Sequence, residues 1–200
     1  MRITLKLLLA FEAILLVTIL ALVLPVRSQM HGQVIEGMQK ELRAVASTGA
    51  IQIDGDAHSR IRTQDDVPGE DFRRVRDQVA RIRDVNGISP DHIYTFYPDP
   101  EEGWVRWGVM THRETWVGER YEMQPQMAAV LREGTVLATE LYEDKNGRWI
   151  SAYAPIRDSA GGIVGLLEVD CAAADYLARY QYVTILTAAL GLVALGVSSI

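Results

Sequence analysis

The sequence predicts an α+β domain: a five-stranded antiparallel sheet with a long N-terminal helix, flanked by two transmembrane helices. Three observations carry this. Segments between Val136 and Asp170 read as consecutive strands joined by turn signals, Asn146-Gly147 and Asp158-Ser159-Ala160-Gly161. Residues 29 to 53 place Ile35, Met38, Leu42, Val45 and Gly49 at helical spacing. The chain of 200 residues also carries an apolar run of eighteen residues near each end.

Taken in order, the first run, Leu7–Leu24, holds one charge, Glu12, and is long enough to cross a bilayer. Eighteen apolar residues exceed a signal-peptide core and no small-x-small cleavage site follows, so the run reads as an uncleaved anchor. Arg2 and Lys6 put the N-terminus in the cytoplasm by the positive-inside rule. Glu12 either faces a partner helix or sits near the inner interface. Residues 1–27 are thus a cytoplasmic N-terminus and first span, 28–181 an extracytoplasmic domain, and 182–200 a second span ending the given chain.

The stripe after Pro25 continues the helix out of the membrane. One side covers the sheet, and the rest is free to pair with a second subunit. At Gly55 the helix breaks beside Asp54, Asp56 and His58; Asp next to Gly is ordinary helix-break chemistry, so this cluster reads as a turn and not a metal site. From Asp71 to Asp84 a second amphipathic helix turns Phe72, Val75, Val79 and Ile82 inward and five arginines outward. Two strands follow, His92–Tyr97 and Trp104–Met110. A loop with Trp116, Arg120 and Tyr121 leads to a helix over Gln124–Arg132, and a third strand covers Val136–Asp144.

If Asn146 and Gly147 form a two-residue turn, Asp144 lies opposite Trp149 and Tyr142 opposite Ser151; the next turn then sets Tyr153 opposite Leu166 and Ser151 opposite Glu168. One face collects Glu140, Tyr142, Ser151, Tyr153, Glu168 and Asp170. The other collects Leu141, Ile150, Ala152, Ala154, Leu167 and Val169. The apolar face is expected to pack on the helices and the polar face to look outward, with Gly147 in the left-handed region.

Composition excludes several functions. Residues 28–181 hold 17 Lys and Arg against 25 Asp and Glu, a net charge of −8 that disfavours nucleic acid and other polyanions. The single cysteine, Cys171, excludes an internal disulfide. There is no phosphate-binding glycine loop, nucleophile elbow, HExxH or CxxC, so no catalytic residue, metal or cofactor is expected.

The stretch WISAYAPIRDSAGGIVGLLEVD resembles the final hairpin of Cache domains, the PAS-like extracytoplasmic sensors of bacterial membrane receptors. The resemblance extends upstream through ELYEDKNGRW, PQMAAVLREG and WVGERYEM. It implies a PAS-like strand order and a ligand site. Tyr142 and Asp170 fall where the amino-acid-binding members carry a tyrosine and an aspartate for the ligand amine. The Arg-x-Trp-Tyr motif that holds the carboxylate in those members is reduced here to Arg120-Tyr121.

The expected site is therefore Arg120, Tyr121, Tyr142, Ser151, Tyr153 and Asp170, taking an amino acid, an amine or a small carboxylate. The resemblance also implies a homodimer in the bacterial inner membrane with its central domain in the periplasm. A HAMP linker and a kinase, phosphatase, cyclase or chemotaxis output would follow. The alternative is a periplasmic dimerisation or partner-protein module with no small ligand.

Overall fold

The computed structural model describes residues 2–145 and 147–172. Helix α1 runs over Arg2–Ala50, α2 over Gly55–Arg60, α3 over Glu70–Asn86 and α4 over Pro125–Glu133. The strands are β1 Ile93–Pro98, β2 Trp104–Met110, β3 Arg120–Glu122, β4 Leu137–Ala138, β5 Tyr142–Asp144, β6 Gly147–Arg157 and β7 Ile163–Ala172. Met38–Ala173 forms one compact unit, and α1 up to Gly37 belongs to another.

Seven strands replace the expected five. They form one antiparallel sheet in the order β3-β2-β1-β7-β6-β4, with β5 also paired to β6. The last strand inserts beside the first, which is the PAS-like arrangement with two changes. Residues Arg120–Glu122, read from sequence as loop, add an edge strand, and Val136–Asp144 breaks into β4 and β5. The break has a local cause. Leu137 pairs with Tyr153 and Tyr142 with Trp149, so one extra residue is accommodated between them, and Thr139 there bonds Ser151 through both its backbone N–H and its hydroxyl.

Both hairpin registers differ from the expected ones by two residues. Asp144 pairs with Gly147, and Asn146 lies outside the described residues. Asp144 Oδ1 instead accepts from the Gly147 N–H and from Trp149 Nε1, each at 3.0 Å. Gly147 has φ +145°, positive but within the first residue of a strand and not the left-handed turn. In the second hairpin Tyr153 pairs with Glu168 and Ser151 with Asp170. There Arg157 pairs with Ile163, so the loop holds five residues, 158–162, where four were expected, and Asp158 Oδ1 organises it by accepting from the N–H groups of Ala160 and Gly162. A shift of two preserves the side-chain alternation, so the faces stand although the partners change.

Helices α1, α2 and α3 cover one sheet face. From α1 come Met38, Leu42, Ala46 and Ala50, and from α3 come Phe72, Val75, Val79 and Ile82, all buried. They lie over Ile150, Ala152, Ala154, Leu167 and Val169, also buried. Beneath α2, His58 is enclosed against the same face with its Nε2 2.9 Å from Thr95 Oγ1. Asp54 caps α2 by accepting from the Ala57 N–H, as a helix-break aspartate should. The second face, expected to look outward, is buried too. Helix α4 lies on it and packs Met127 and Val130 on Phe96, Val105, Tyr153 and Leu166. Glu140 alone of the expected polar set is exposed, since it falls in the β4–β5 irregularity.

The apolar run Val183–Ile200 lies outside the described residues, as do most side chains of Leu7–Leu24, Glu12 among them. Among the described residues no helix is long and apolar enough to cross a membrane.

Candidate functional site

Strand alternation brings Tyr142 of β5, Ser151 and Tyr153 of β6, Glu168 and Asp170 of β7 and Tyr94 of β1 onto one face. They form a connected network. Ser151 Oγ donates to Asp170 Oδ1 at 2.5 Å and accepts from the Tyr142 hydroxyl at 2.8 Å, while the Tyr94 hydroxyl donates to Asp170 Oδ2. Asp170 is thereby held by the Ser151 and Tyr94 hydroxyls, and His92 acts on it electrostatically. Its backbone N–H is fixed by the His92 carbonyl at 2.8 Å.

Beside this network lie two unanswered polar groups. Glu168 Oε2 and the Tyr153 hydroxyl are both buried and neither meets a partner at full hydrogen-bond geometry, although the two side chains act on one another. A buried polar group without a partner costs on the order of 1–3 kcal/mol, so its retention asks for an explanation. Burial raises the Glu168 carboxyl well above the usual carboxylate range, and the Asp170 charge raises it further. Asp170 is also raised by burial, against the pull of its Ser151 and Tyr94 donors. Glu168 is accordingly the protonated member of the pair and Asp170 the charged one. Burial and the same two acids raise the tyrosines: Tyr121 to about 12, with Tyr94, Tyr142 and Tyr153 also pushed upward.

Aromatic rings continue the face away from the acids. Tyr94 meets Trp107 edge-on at 4.9 Å, and Tyr121 stands 5.3 Å from both Trp107 and Phe96. Trp116 closes on Trp107 at 5.7 Å. Acids, hydroxyls and aromatic walls thus share one side of the sheet, beneath α4.

The chain is similar to bacterial sensory domains. The ligand-binding domain of the Campylobacter jejuni chemoreceptor Tlp3, solved in complex with L-valine, matches 82% of this chain and 64% of its own length at 14% identity, with a TM-score of 0.46. The periplasmic sensory domain of Tlp1 from the same organism matches 74% of this chain and 58% of its own at 14% identity and a TM-score of 0.45. The extracellular domain of the putative histidine kinase mmHK1S-Z2 matches 78% and 62% at 16% identity and a TM-score of 0.47. The matched part of the chain therefore spans less than two thirds of each. No family model matches the chain, and no curated protein does.

Of the six residues expected at the site, five share the face and one does not. Arg120 neighbours Tyr121 on β3, so alternation turns it to the opposite side, where it pairs with Arg106 across the ladder. There its guanidinium bonds Asp99 at 3.2 Å and Glu101 at 2.7 Å, and Arg106 shares the same Asp99. Arg120 is thus no lid for Asp170. Glu168, Tyr94 and Trp107 are the residues sequence reasoning left out of the site. Glu168 was readable on the polar face of β7, and Tyr94 and Phe96 alternate in β1, but only the β1–β7 pairing brings the two strands together.

Proposed function

We propose that this chain is the extracytoplasmic sensory region of a bacterial transmembrane signalling protein and binds a small solute through an amine. Leu7–Leu24 and Val183–Ile200 would cross the membrane, with the bilayer as a partner and the exposed side of α1 joining two copies as a homodimer. A shift at the site would pass along these helices to an output domain. One observation carries the ligand: a buried carboxylate pair, Glu168 and Asp170, bordered by an unpartnered tyrosine hydroxyl and by aromatic rings. An ammonium group donates three hydrogen bonds and adds one positive charge, which suits Asp170, Glu168 Oε2 and Tyr153 together. Aromatic walls suit the attached carbon chain, and their faces also favour a cation.

The test is a thermal-shift screen of the detergent-solubilised chain against amines, amino acids and small carboxylates, with calorimetry on any hit. Asp170→Asn keeps the side-chain volume and removes the charge, so a bound amine should lose about 1.5–3 kcal/mol, the worth of a charged hydrogen bond. Tyr121→Ala should weaken the same hit by opening the aromatic wall. A hit indifferent to both substitutions would place binding elsewhere.

A further inference from the structure

The outer edge of β6 is covered over part of its length. On one side its ladder with β7 continues to Arg157, opposite Ile163, whereas on the other β4 reaches no further than Tyr153. Beyond Tyr153 that edge meets no strand among the described residues, and Pro155 lacks the N–H with which a ladder would continue. A cavity of about 370 Å³ opens there. Its walls include Ser47 in the last turn of α1, Ile51 just past it, Val136 after α4, and Ala154, Pro155 and Arg157 of β6. All of these belong to the compact unit Met38–Ala173, and no member of the Asp170 network lines the cavity.

Arg157 is the charged residue of this lining, and none of the lining residues is acidic. Neutral groups hold its guanidinium in place. Nη1 donates to the Gly161 carbonyl at 2.9 Å, and Nη2 lies against Gly134, where an added Cβ would collide with it. Gly134 caps the C-terminus of α4 by donating its N–H to the Val130 carbonyl, so the cation stands at the negative end of that helix. Both contacts position the guanidinium, and neither brings a formal negative charge to it. Ile51, 83% exposed, leaves apolar surface at the mouth of the cavity, and Ala154 is fully buried in its floor. We infer that this cavity is a binding site separate from the Asp170 network, and that it takes small aliphatic monocarboxylates. The carboxylate meets Arg157, whose planar fork of donors fits it, and the hydrocarbon lies against Ile51, Val136 and Pro155. An ammonium group finds no acid in this lining, and a dicarboxylate would leave its second charge beside hydrocarbon. The inference does not rest on amine binding, since it uses other residues and the opposite charge.

The experiment titrates the full chain in lipid nanodiscs with sodium hexanoate at pH 7.5 by ligand-observed NMR. Hexan-1-ol serves as the uncharged match, and empty nanodiscs subtract partition into lipid. Hexanoate should bind saturably, with a Kd of about 1 mM or tighter, and more tightly than hexan-1-ol. Arg157→Gln should weaken hexanoate by about threefold or more and leave hexan-1-ol unchanged, a modest effect because the guanidinium is exposed. Ser47→Phe, at an exposed position on the cavity wall, should exclude both. Ile51→Asp sets an acid at the exposed mouth and should repel hexanoate, which gives a second reading if the phenylalanine variant does not fold. Asp170→Asn should leave hexanoate binding as it is, and excess hexylamine should not displace it. No saturable binding by the parent chain overturns the site, as does an affinity that ignores Arg157→Gln together with the wall variants. Displacement by hexylamine, or a loss in Asp170→Asn, would assign hexanoate to the Asp170 network and overturn the separate site as well.

Discussion

Glu168 and His58 are buried on opposite faces of one sheet, and they make stability respond to pH in opposite directions. For Glu168 the folded state raises the affinity for a proton, so its contribution is fully present below the ordinary glutamate pKa of 4.5 and is lost as pH rises. Glu168→Gln should therefore melt higher than the parent at pH 8, by the equivalent of about 1 kcal/mol or more, with the difference vanishing toward pH 4. For His58 the folded state does the reverse: burial, helped by Arg62, lowers its pKa from 6.5 to about 3. The neutral ring is favoured above pH 6.5, and its contribution is lost progressively as pH falls toward 3, by at most about 1.4 kcal/mol per pH unit. Thermal melts from pH 7 to 4 should show a shallower acid slope for His58→Gln than for the parent, and equal slopes would mean that the ring is not held neutral. Neither residue's burial was legible in the sequence. His58 sits among turn-forming aspartates, and only the tertiary closure of α2 over β7 and β6, which brings the ring against Thr95, Gly108 and Gly165, encloses it; Glu168 follows two leucines in β7, which marks a strand but not whether its face is covered.

At the scale of the element, amphipathic periodicity carried the most information. Helix α3 buries the four side chains its sequence stripe nominates, and β2 spans the residues its alternation and flanking turn mark out. Registers were less legible, because Asn-Gly fits two adjacent positions in a tight hairpin and the choice depends on Asp144, whose carboxylate reaches past the loop to Gly147 and Trp149. The faces survived since both errors were even. Two glycines in the long hairpin should respond differently to alanine. At Gly147 the backbone sits at φ +145°, but an added Cβ would meet only the Trp149 ring at 3.4 Å, so Gly147→Ala should cost about 1 kcal/mol of backbone strain. At Gly165 a Cβ would lie 2.4 Å from the Phe96 carbonyl and 2.6 Å from the His58 ring, and β7 would have to move off β1. Gly165→Ala should cost about 3 kcal/mol or more. Denaturant unfolding of the two variants should reproduce that order; equal losses would mean that the β1–β7 contact yields more readily than its spacing implies.

For the whole molecule, the strongest statement in the sequence concerns the two apolar runs, and it leads to a prediction about sidedness. Each run is eighteen residues long, and at 1.5 Å per residue a helix of that length nearly matches a hydrocarbon core of about 30 Å. Two basic residues, Arg2 and Lys6, precede the first run, against Arg27 alone just after it. By the positive-inside rule that asymmetry predicts an N-terminus held inside. On the proposed reading the intervening acidic region, with its buried polar face, would then emerge outside. The same reading has the second run return the chain. Alkaline phosphatase fused after Asp144 should be active, because the enzyme folds only where its disulfides form, and the same fusion after Ile200 should be inactive. The sign of the flanking charge supplies a control: moving the two basic residues from before Leu7 to after Leu24 should invert both activities if the first run is an anchor read by its flanks. An inactive fusion at Asp144 together with an active one at Ile200 in the parent chain would place the binding face in the cytoplasm, and the sensory reading would then need a cytoplasmic solute.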